Sequence, residues 1–402
     1  MSPVITPVPH SMKIAHIITR LIIGGAQENT VLNCEDLIRD YGDEVLLMTG
    51  PPLGPEGSLL DRVEKSGVPH VIIPPLRRAI HPVNDWTAYR EIRRILKNFQ
   101  PNVVHTHSAK AGILGRIAAK SLDVPAIVHG VHGAPFYPYQ NPLVRNFYKW
   151  CERYAAKKCD ALISVADAMS ELMIQANVAP AEKFHTVYSG MEVETFLDSA
   201  PLRAATRRRF GFTDNEIVVG KIARLFPLKG HEFIIEAAKA VLSRNPNIRF
   251  LFVGDGILKE KYVTQIQRLG LEKFFVFTGL VPPDDIPAMI SATDMIVHAS
   301  LREGLARVLP QSLLSGKPAV SYDIDGAKEV VLDGVTGFLL PPKSTEELAE
   351  AILKLADSRQ MRDQMAAEGR KLCEKRFDHR LTTKKIREIY RRILDKKREI
   401  HF

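Results

Sequence analysis

The chain has 402 residues, 45% of them hydrophobic, which is enough for two domains with ordinary globular cores. Its formal charge of +9 points to an anionic partner: a nucleotide, a nucleic acid or an acidic membrane surface. Nucleic acid is the weakest of these, since the chain shows no zinc-finger spacing and no aromatic-rich basic sheet motif.

Cys34, Cys151, Cys159 and Cys373 form no Cys-x-x-Cys pair and have no histidine at ligand spacing, so they read as small buried hydrophobes in a reducing compartment. No metal site is expected. The first residues carry three prolines and no signal pattern, and no uncharged apolar run is long enough to span a bilayer. The expected protein is cytoplasmic, with a disordered tail over 1–11.

In chain order, Lys13–Ile18 reads as a buried strand, followed by a turn at Gly24-Gly25 and a helix over Asn29–Arg39. Further strands are predicted at Val45–Met48, Val71–Ile73, Val103–Thr106, Ala126–Val131 and Ala161–Val165, with Thr186–Met191 as the last of a first domain. Strands alternating with helices imply a parallel sheet, and ligands then bind outside the carboxyl ends of the strands. The histidine-bearing segments His105–Ala111 and His129–Pro135 lie at such ends. His132, beside glycines in a loop, is the histidine best placed to face a cleft.

Asn141–Lys158 reads as a helix with Arg145, Lys149, Arg153 and Lys157 at four-residue steps and Val144, Phe147, Cys151 and Tyr154 on an adjoining face. The basic row is read either as a solvated face or as a dock for anionic lipid headgroups. After a boundary near 195 the alternation restarts: strands at Ile217–Ile222, Arg249–Val253, Phe274–Phe277, Met295–Ala299, Pro318–Tyr322 and Thr336–Leu340. Arg380–Lys397 forms a final helix whose apolar face is Ile386, Ile389, Tyr390, Ile393 and Leu394. The predicted divisions are 12–195, 196–379 and a closing segment 380–402.

The chemistry concentrates in the second half. Arg224 and Lys229 flank a proline-bearing loop between a strand end and a helix, so two cations can converge on a diphosphate and stabilise charge on a phosphate leaving group. Glu303, at a later strand end, can accept hydrogen bonds from ligand hydroxyls. Gln311 follows eight residues on, about 12 Å along a continuous helix. Gly254, in Gly254-Asp255-Gly256, is foremost a turn residue.

Taken together, Gly24-Gly25-Ala26-Gln27, His105–Gly112, Val131-His132-Gly133, Val187–Glu192, Ala223–Gly230, Val253–Gly256, Arg302-Glu303-Gly304-Leu305 and Asp333–Pro342 resemble the ordered landmarks of family-four retaining glycosyltransferases. The resemblance spans nearly the whole chain. It implies the α/β GT-B architecture: two Rossmann-like domains facing across a cleft, with the last helix crossing back onto the first. It also implies a metal-independent retaining hexosyltransferase, using a nucleotide-sugar, a UDP- or GDP-hexose, as co-substrate and no cofactor. The implied acceptor is a glycan or lipid-linked hydroxyl in cell-envelope polysaccharide, lipopolysaccharide or glycolipid assembly, on the cytoplasmic face of the inner membrane.

By position, Arg224 and Lys229 match the family's diphosphate pair, and Glu303, with the Gly304 and Leu305 amides, matches its donor-sugar site. His132 matches the histidine near the reacting sugar, and Gly24 and Gly25 match the turn over the donor phosphates. Gly254 and Gln311 complete the donor-side candidates; His107, Phe136 and Tyr137 are the acceptor-side ones. The family's second acid, which holds the ribose, is here Gln311, whose amide carbonyl accepts a hydrogen bond more weakly than a carboxylate. Pro310 beside it is tolerated mainly in the first turn of a helix, so either the helix begins late, near Val308, or its start is distorted, and both displace Gln311 from an eight-residue rise. Two other readings stay open: a nucleotide-sugar epimerase, and a transferase-like binding subunit with faded activity.

Overall fold

The computed structural model describes residues 11–54 and 57–400, apart from the Ile400 side chain. The expected tail lies outside the described residues except for Ser11, whose hydroxyl donates to the Gly42 carbonyl at 2.8 Å. The chain divides into two compact units: one runs to Val165 and includes Met169–Met191 and the stretch from His379 onward, and the other is Ala166–Ala168 with Glu192–Asp378.

The first unit is built on β1 (Lys13–Ile18), β2 (Glu44–Thr49), β3 (His70–Ile72), β4 (Val103–His107), β5 (Ala126–Val131), β6 (Ala161–Ser164) and β7 (Phe184–Thr186), paired in the order β3-β2-β1-β4-β5-β6-β7. Every pairing is parallel. The second unit has β8 (Ile217–Ile222), β9 (Ile248–Val253), β10 (Phe275–Phe277), β11 (Met295–His298), β12 (Ala319–Tyr322) and β13 (Gly337–Leu340), also all parallel, in the order β10-β9-β8-β11-β12-β13. The central strands are buried along most of their length, with aliphatic runs interrupted by His16, His105, His107, His129 and Lys221, because helices cover both faces of each sheet. Each sheet winds outward from a central strand and then reverses, at β1/β4 and at β8/β11, and such reversals open a crevice at the strand carboxyl ends.

The last helix, His379–Ile400, belongs to the first unit. Ile386, Ile389 and Tyr390 are buried in its core with Val31, Leu37, Val103 and Val128, and Ile393 and Leu394 pack at the margin, so the apolar face expected from the sequence is the one used. Burying the two isoleucines contributes about 1.5–3 kcal/mol each. Polar contacts fix the register: Asp36 accepts from His379 Nδ1 and Thr383 Oγ1, each at 2.8 Å, and Arg387 grips the buried Asp43 with Nε at 2.7 Å and Nη2 at 2.9 Å. Truncating one partner strands a buried charge. Arg387→Ala is therefore expected to lower unfolding free energy by about 3–5 kcal/mol in urea titrations, and a loss below about 1 kcal/mol would mean that this pair does not anchor the helix.

Three local expectations are corrected. Strand β7 ends at Thr186 rather than extending to Met191: the ladder to β6 closes with Val187 N donating to Ser164 O, and beyond it Gly190 N turns to the Asn29 side chain and Met191 O accepts from His379 N. The first helix starts at Gly25, not Asn29, with Gly24 at its N-cap. The helix Pro142–Ala156, capped by Asn141 accepting from Leu143 N at 2.9 Å, buries Glu152, Ala155 and Ala156 and leaves Val144, Phe147 and Tyr154 exposed. Its basic row is partly committed inward: Arg153 donates twice to the Ala176 carbonyl, and Lys149 lies 5.5 Å over the Phe136 ring.

Candidate functional site

In the second unit the candidate donor residues gather at the β8/β11 reversal. The loop after β8 and the loop after β11 are stitched together: Leu301 N donates to Leu228 O at 2.9 Å, and Ser300 Oγ to Lys229 O at 3.3 Å. Gly230 makes this contact possible. It sits in the left-handed region (φ +74), and a Cβ there would stand 1.8 Å from the Ala299 carbonyl oxygen. Residues 74 apart in sequence thereby meet: Lys229 Nζ lies 2.6 Å from Glu303 Oε1.

The carboxylate has further neighbours. His298 Nε2 is 3.4 Å from the same oxygen, and Glu303 N donates to Asp325 Oδ2 at 2.6 Å. Burial opposes the Glu303 charge, but Lys229 and then His298 outweigh it and hold the carboxyl far below the usual range. Burial raises the Asp325 carboxyl, although it accepts the Glu303 N–H.

Arg224, exposed on the β8 loop, has its guanidinium 5.2 Å over the Phe226 ring. Gly254 (φ +132) lets the next strand end approach that loop, since a Cβ would fall 2.3 Å from Ala223 O. Gly304 and Leu305 are buried beside Gly326. Residues 303–307 are not helical; the helix is Val308–Leu314, with Pro310 in its first turn and Gln311 half-buried in the same turn. The helix begins late, at Val308, one of the two outcomes that Pro310 allows, so a loop and one turn separate Glu303 from Gln311 in place of a continuous eight-residue rise.

Sequence reasoning missed three polar groups beneath this site. Lys221, on β8, is fully buried with no hydrogen-bond partner for its ammonium among the described residues, and burial lowers it to about 7 despite the nearby Glu303. His231, between the rings of Phe252 and Tyr262, is lowered by burial to about 2, and His298 to about 4. For Lys221 and His298 the only available signal was a single polar residue within an apolar run; His231, between Gly230 and Glu232, offered none.

In the first unit a histidine chain occupies the β1/β4 reversal. His16 Nδ1 meets His107 Nε2 at 3.0 Å, and His107 Nδ1 meets His132 Nε2 at 3.0 Å. His105 Nδ1 contacts the Tyr390 hydroxyl at 2.6 Å. Gly130 leaves room for these rings, since a Cβ would lie 2.9 Å from His107 Nδ1. His16, His105 and His107 can each bring a ring nitrogen within 4.8 Å of the others, a spacing open to a cation, although both His107 nitrogens are already engaged within the chain.

His107, expected to face the acceptor, is buried and supports His132 instead. Phe136 is likewise buried beneath Lys149, with no ring face open to a sugar, while Tyr137 is half-buried. His132 is half-exposed after β5, and Gly24 and Gly25 begin the first helix.

Two doubly wound parallel units, with the last helix returned to the first, constitute the GT-B fold. The protein is a glycosyltransferase that belongs to the glycosyl transferases group 1 family: that family's model matches residues 203–372, and a glycosyl transferase 4-like domain matches 24–190. It is 30% identical over 352 residues to the UDP-Gal:alpha-D-GlcNAc-diphosphoundecaprenol alpha-1,3-galactosyltransferase of Escherichia coli, covering 87% of this chain and 89% of that one. The alpha-D-kanosaminyltransferase of Streptomyces kanamyceticus is 29% identical, over 72% of this chain and 77% of its own. Among solved structures, Anabaena HepE in complex with UDP-glucose superposes with a TM-score of 0.79 at 26% identity, covering 94% and 99% of the two chains. WaaG, a glycosyltransferase involved in lipopolysaccharide biosynthesis, shares the fold with a TM-score of 0.74 at 18% identity, over 94% and 99%.

Proposed function

We propose that the protein transfers a hexose from a uridine-diphosphate sugar, with retention and without a metal ion, to a hydroxyl of a lipid-linked or polymeric envelope glycan. The observation that carries this reading is the Lys229–Glu303 pair at the β8/β11 reversal, where a cation for phosphate and an acceptor for sugar hydroxyls stand side by side. The UDP-sugars named for the Escherichia coli relative and for the HepE complex support uridine as the base.

In this mechanism Arg224 and Lys229 hold the diphosphate as the C1–O bond lengthens, and Glu303 fixes the sugar through its hydroxyls. The acceptor oxygen bonds to C1 on the face the phosphate leaves, and its proton passes to the departing phosphate oxygen. The chemistry asks for stabilised charge rather than a strong base. The Gln311 carbonyl accepts from the ribose.

Thermal unfolding with UDP, GDP, ADP and their hexoses, in the presence of chelator, tests the reading. Ligand at a hundred times its Kd stabilises the native state by about 2.7 kcal/mol. The expected result is a shift selective for the uridine compounds. No shift with any nucleotide in the millimolar range would overturn the proposal, and an inverted anomer in the NMR spectrum of the product would remove retention.

A further inference from the structure

Both tryptophans of the chain stand in solvent, Trp86 at 61% and Trp150 at 60% exposure. Tryptophan is ordinarily among the more buried side chains. The crossovers β3 to β4, β4 to β5 and β5 to β6 run in one direction across the sheet, so their helices Pro82–Phe99, Ala109–Lys120 and Pro142–Ala156 share one face. The middle helix touches both others.

This face is apolar where it should be polar. Leu143 (81%), Val83 (66%), Phe147 and Ile80 are exposed around the two indoles. On Pro142–Ala156 the rings of Phe147, Trp150 and Tyr154 stack in succession at 6.4 and 6.0 Å, and Trp86 stacks on Tyr89 at 5.6 Å. The two outer helices thus each expose an aromatic and aliphatic cluster, and exposed apolar clusters of this kind mark interaction sites.

Charge identifies the occupant. The three helices carry ten lysines and arginines against the three carboxylates Asp85, Glu91 and Glu152. Each carboxylate is already paired: Asp85 with Lys110 at 2.6 Å, Glu91 with Arg94 at 2.5 Å, and buried Glu152 with Arg116 at 3.0 Å. Aromatic and aliphatic side chains set among unopposed cations match the boundary of an anionic bilayer, where rings enter the headgroup layer and cations meet lipid phosphates. A second copy of the chain would bring the same excess positive charge to the interface.

We propose that this helical face lies on an anionic lipid bilayer, with Trp86, Phe147 and Trp150 inserted at the headgroup boundary. The helix N-termini, and with them Ile80, Val83 and Leu143, lie at the strand carboxyl end of the sheet, the end that also carries His132. The inference deepens the proposed function, resting on it only for the benefit of reaching a lipid-held acceptor; the binding itself requires no donor or acceptor.

The test uses the full chain with vesicles of phosphatidylcholine alone or mixed with phosphatidylglycerol. The expected result is co-sedimentation with the phosphatidylglycerol vesicles, weakened by salt, with a blue shift of tryptophan emission, since the only two indoles are both on this face. The double variant Phe147→Ser, Trp150→Ser should lower partitioning by about tenfold or more while leaving the UDP thermal shift unchanged. Absence of binding at low salt, or binding that the double variant does not weaken, overturns the proposal. So does a concentration-dependent dimer that the double variant dissolves without any vesicle binding in the parent. A protein that binds vesicles but no nucleotide would sink the transferase reading and leave this one standing.

Discussion

Glu303→Ala is expected to lower kcat/KM for the donor by about 10²–10³, the loss seen when one group that stabilises the transition state is removed from a preorganised site. The geometry predicts more than a single loss. Lys229 and Glu303 are 2.6 Å apart, so each holds the other in place before any ligand arrives. Removing the carboxylate frees the ammonium to swing away from the diphosphate, and removing the ammonium leaves a buried carboxylate opposed by burial and supported only by His298 and Lys221. Lys229→Met should therefore cost a similar factor, and the double variant should be little worse than the poorer single one. Losses that multiply would show two independent contributions and refute the coupling, and full turnover in Glu303→Ala would take Glu303 out of the mechanism. Glu303→Gln separates the roles: its amide still accepts from a sugar hydroxyl but cannot neutralise Lys229, so it should affect kcat more than KM.

Lys229 and Glu303 were legible in the sequence, each at a strand end of the same half, but their pairing was not, because it requires β8 and β11 to be neighbours and the sequence carries no strand order. The central strands were legible as well. β1, β5 and β8 coincide with their expected bounds because a doubly buried strand is apolar along most of its run. Periodicity failed where it was asked for direction. In Pro142–Ala156 it separates two arcs of side chains correctly but cannot tell which one faces the sheet, and the helix turns Ala155, Ala156 and Glu152 inward because buried Arg116 supplies a partner for that glutamate. Propensity failed at Val187–Met191, where hydrogen bonds from distant residues displace the strand. Lys221 and His298 could not be read at all, because a lone polar residue in an apolar run looks the same whether its tip reaches solvent or is walled in, and His231, first residue of a helix beside Glu232, reads as an exposed end.

These walled-in histidines set the largest stability effect to be expected. Burial lowers His16 to about 3 and holds His105, His107 and His129 well below 6.5, while His231 and His298 fall to about 2 and about 4. In the unfolded chain each titrates near 6.5. Between about pH 6.5 and 4 the unfolded state therefore binds protons that the native state refuses, and stability falls as pH falls. At pH 5.5 these histidines together therefore oppose folding by a substantial part of the stability of an ordinary domain, about 5–15 kcal/mol. The lowered carboxylates Glu303 and Asp36 do not mask this, since they withdraw their stabilisation only below their unfolded values near 4, whereas the raised Asp325 offsets a small part of the fall. Lys221 extends the same sign to alkaline pH, since the unfolded chain keeps its proton to about 10.5 and the native state releases it near 7. Urea midpoints should drop steeply from pH 7 to 5.5. His231→Phe, placed among the rings of Phe252 and Tyr262, should flatten the slope by about 1.4 kcal/mol per pH unit. A midpoint indifferent to pH over that range would mean that the rings take up protons in the folded chain, and that the His16–His107–His132 chain carries charge rather than neutral hydrogen bonds.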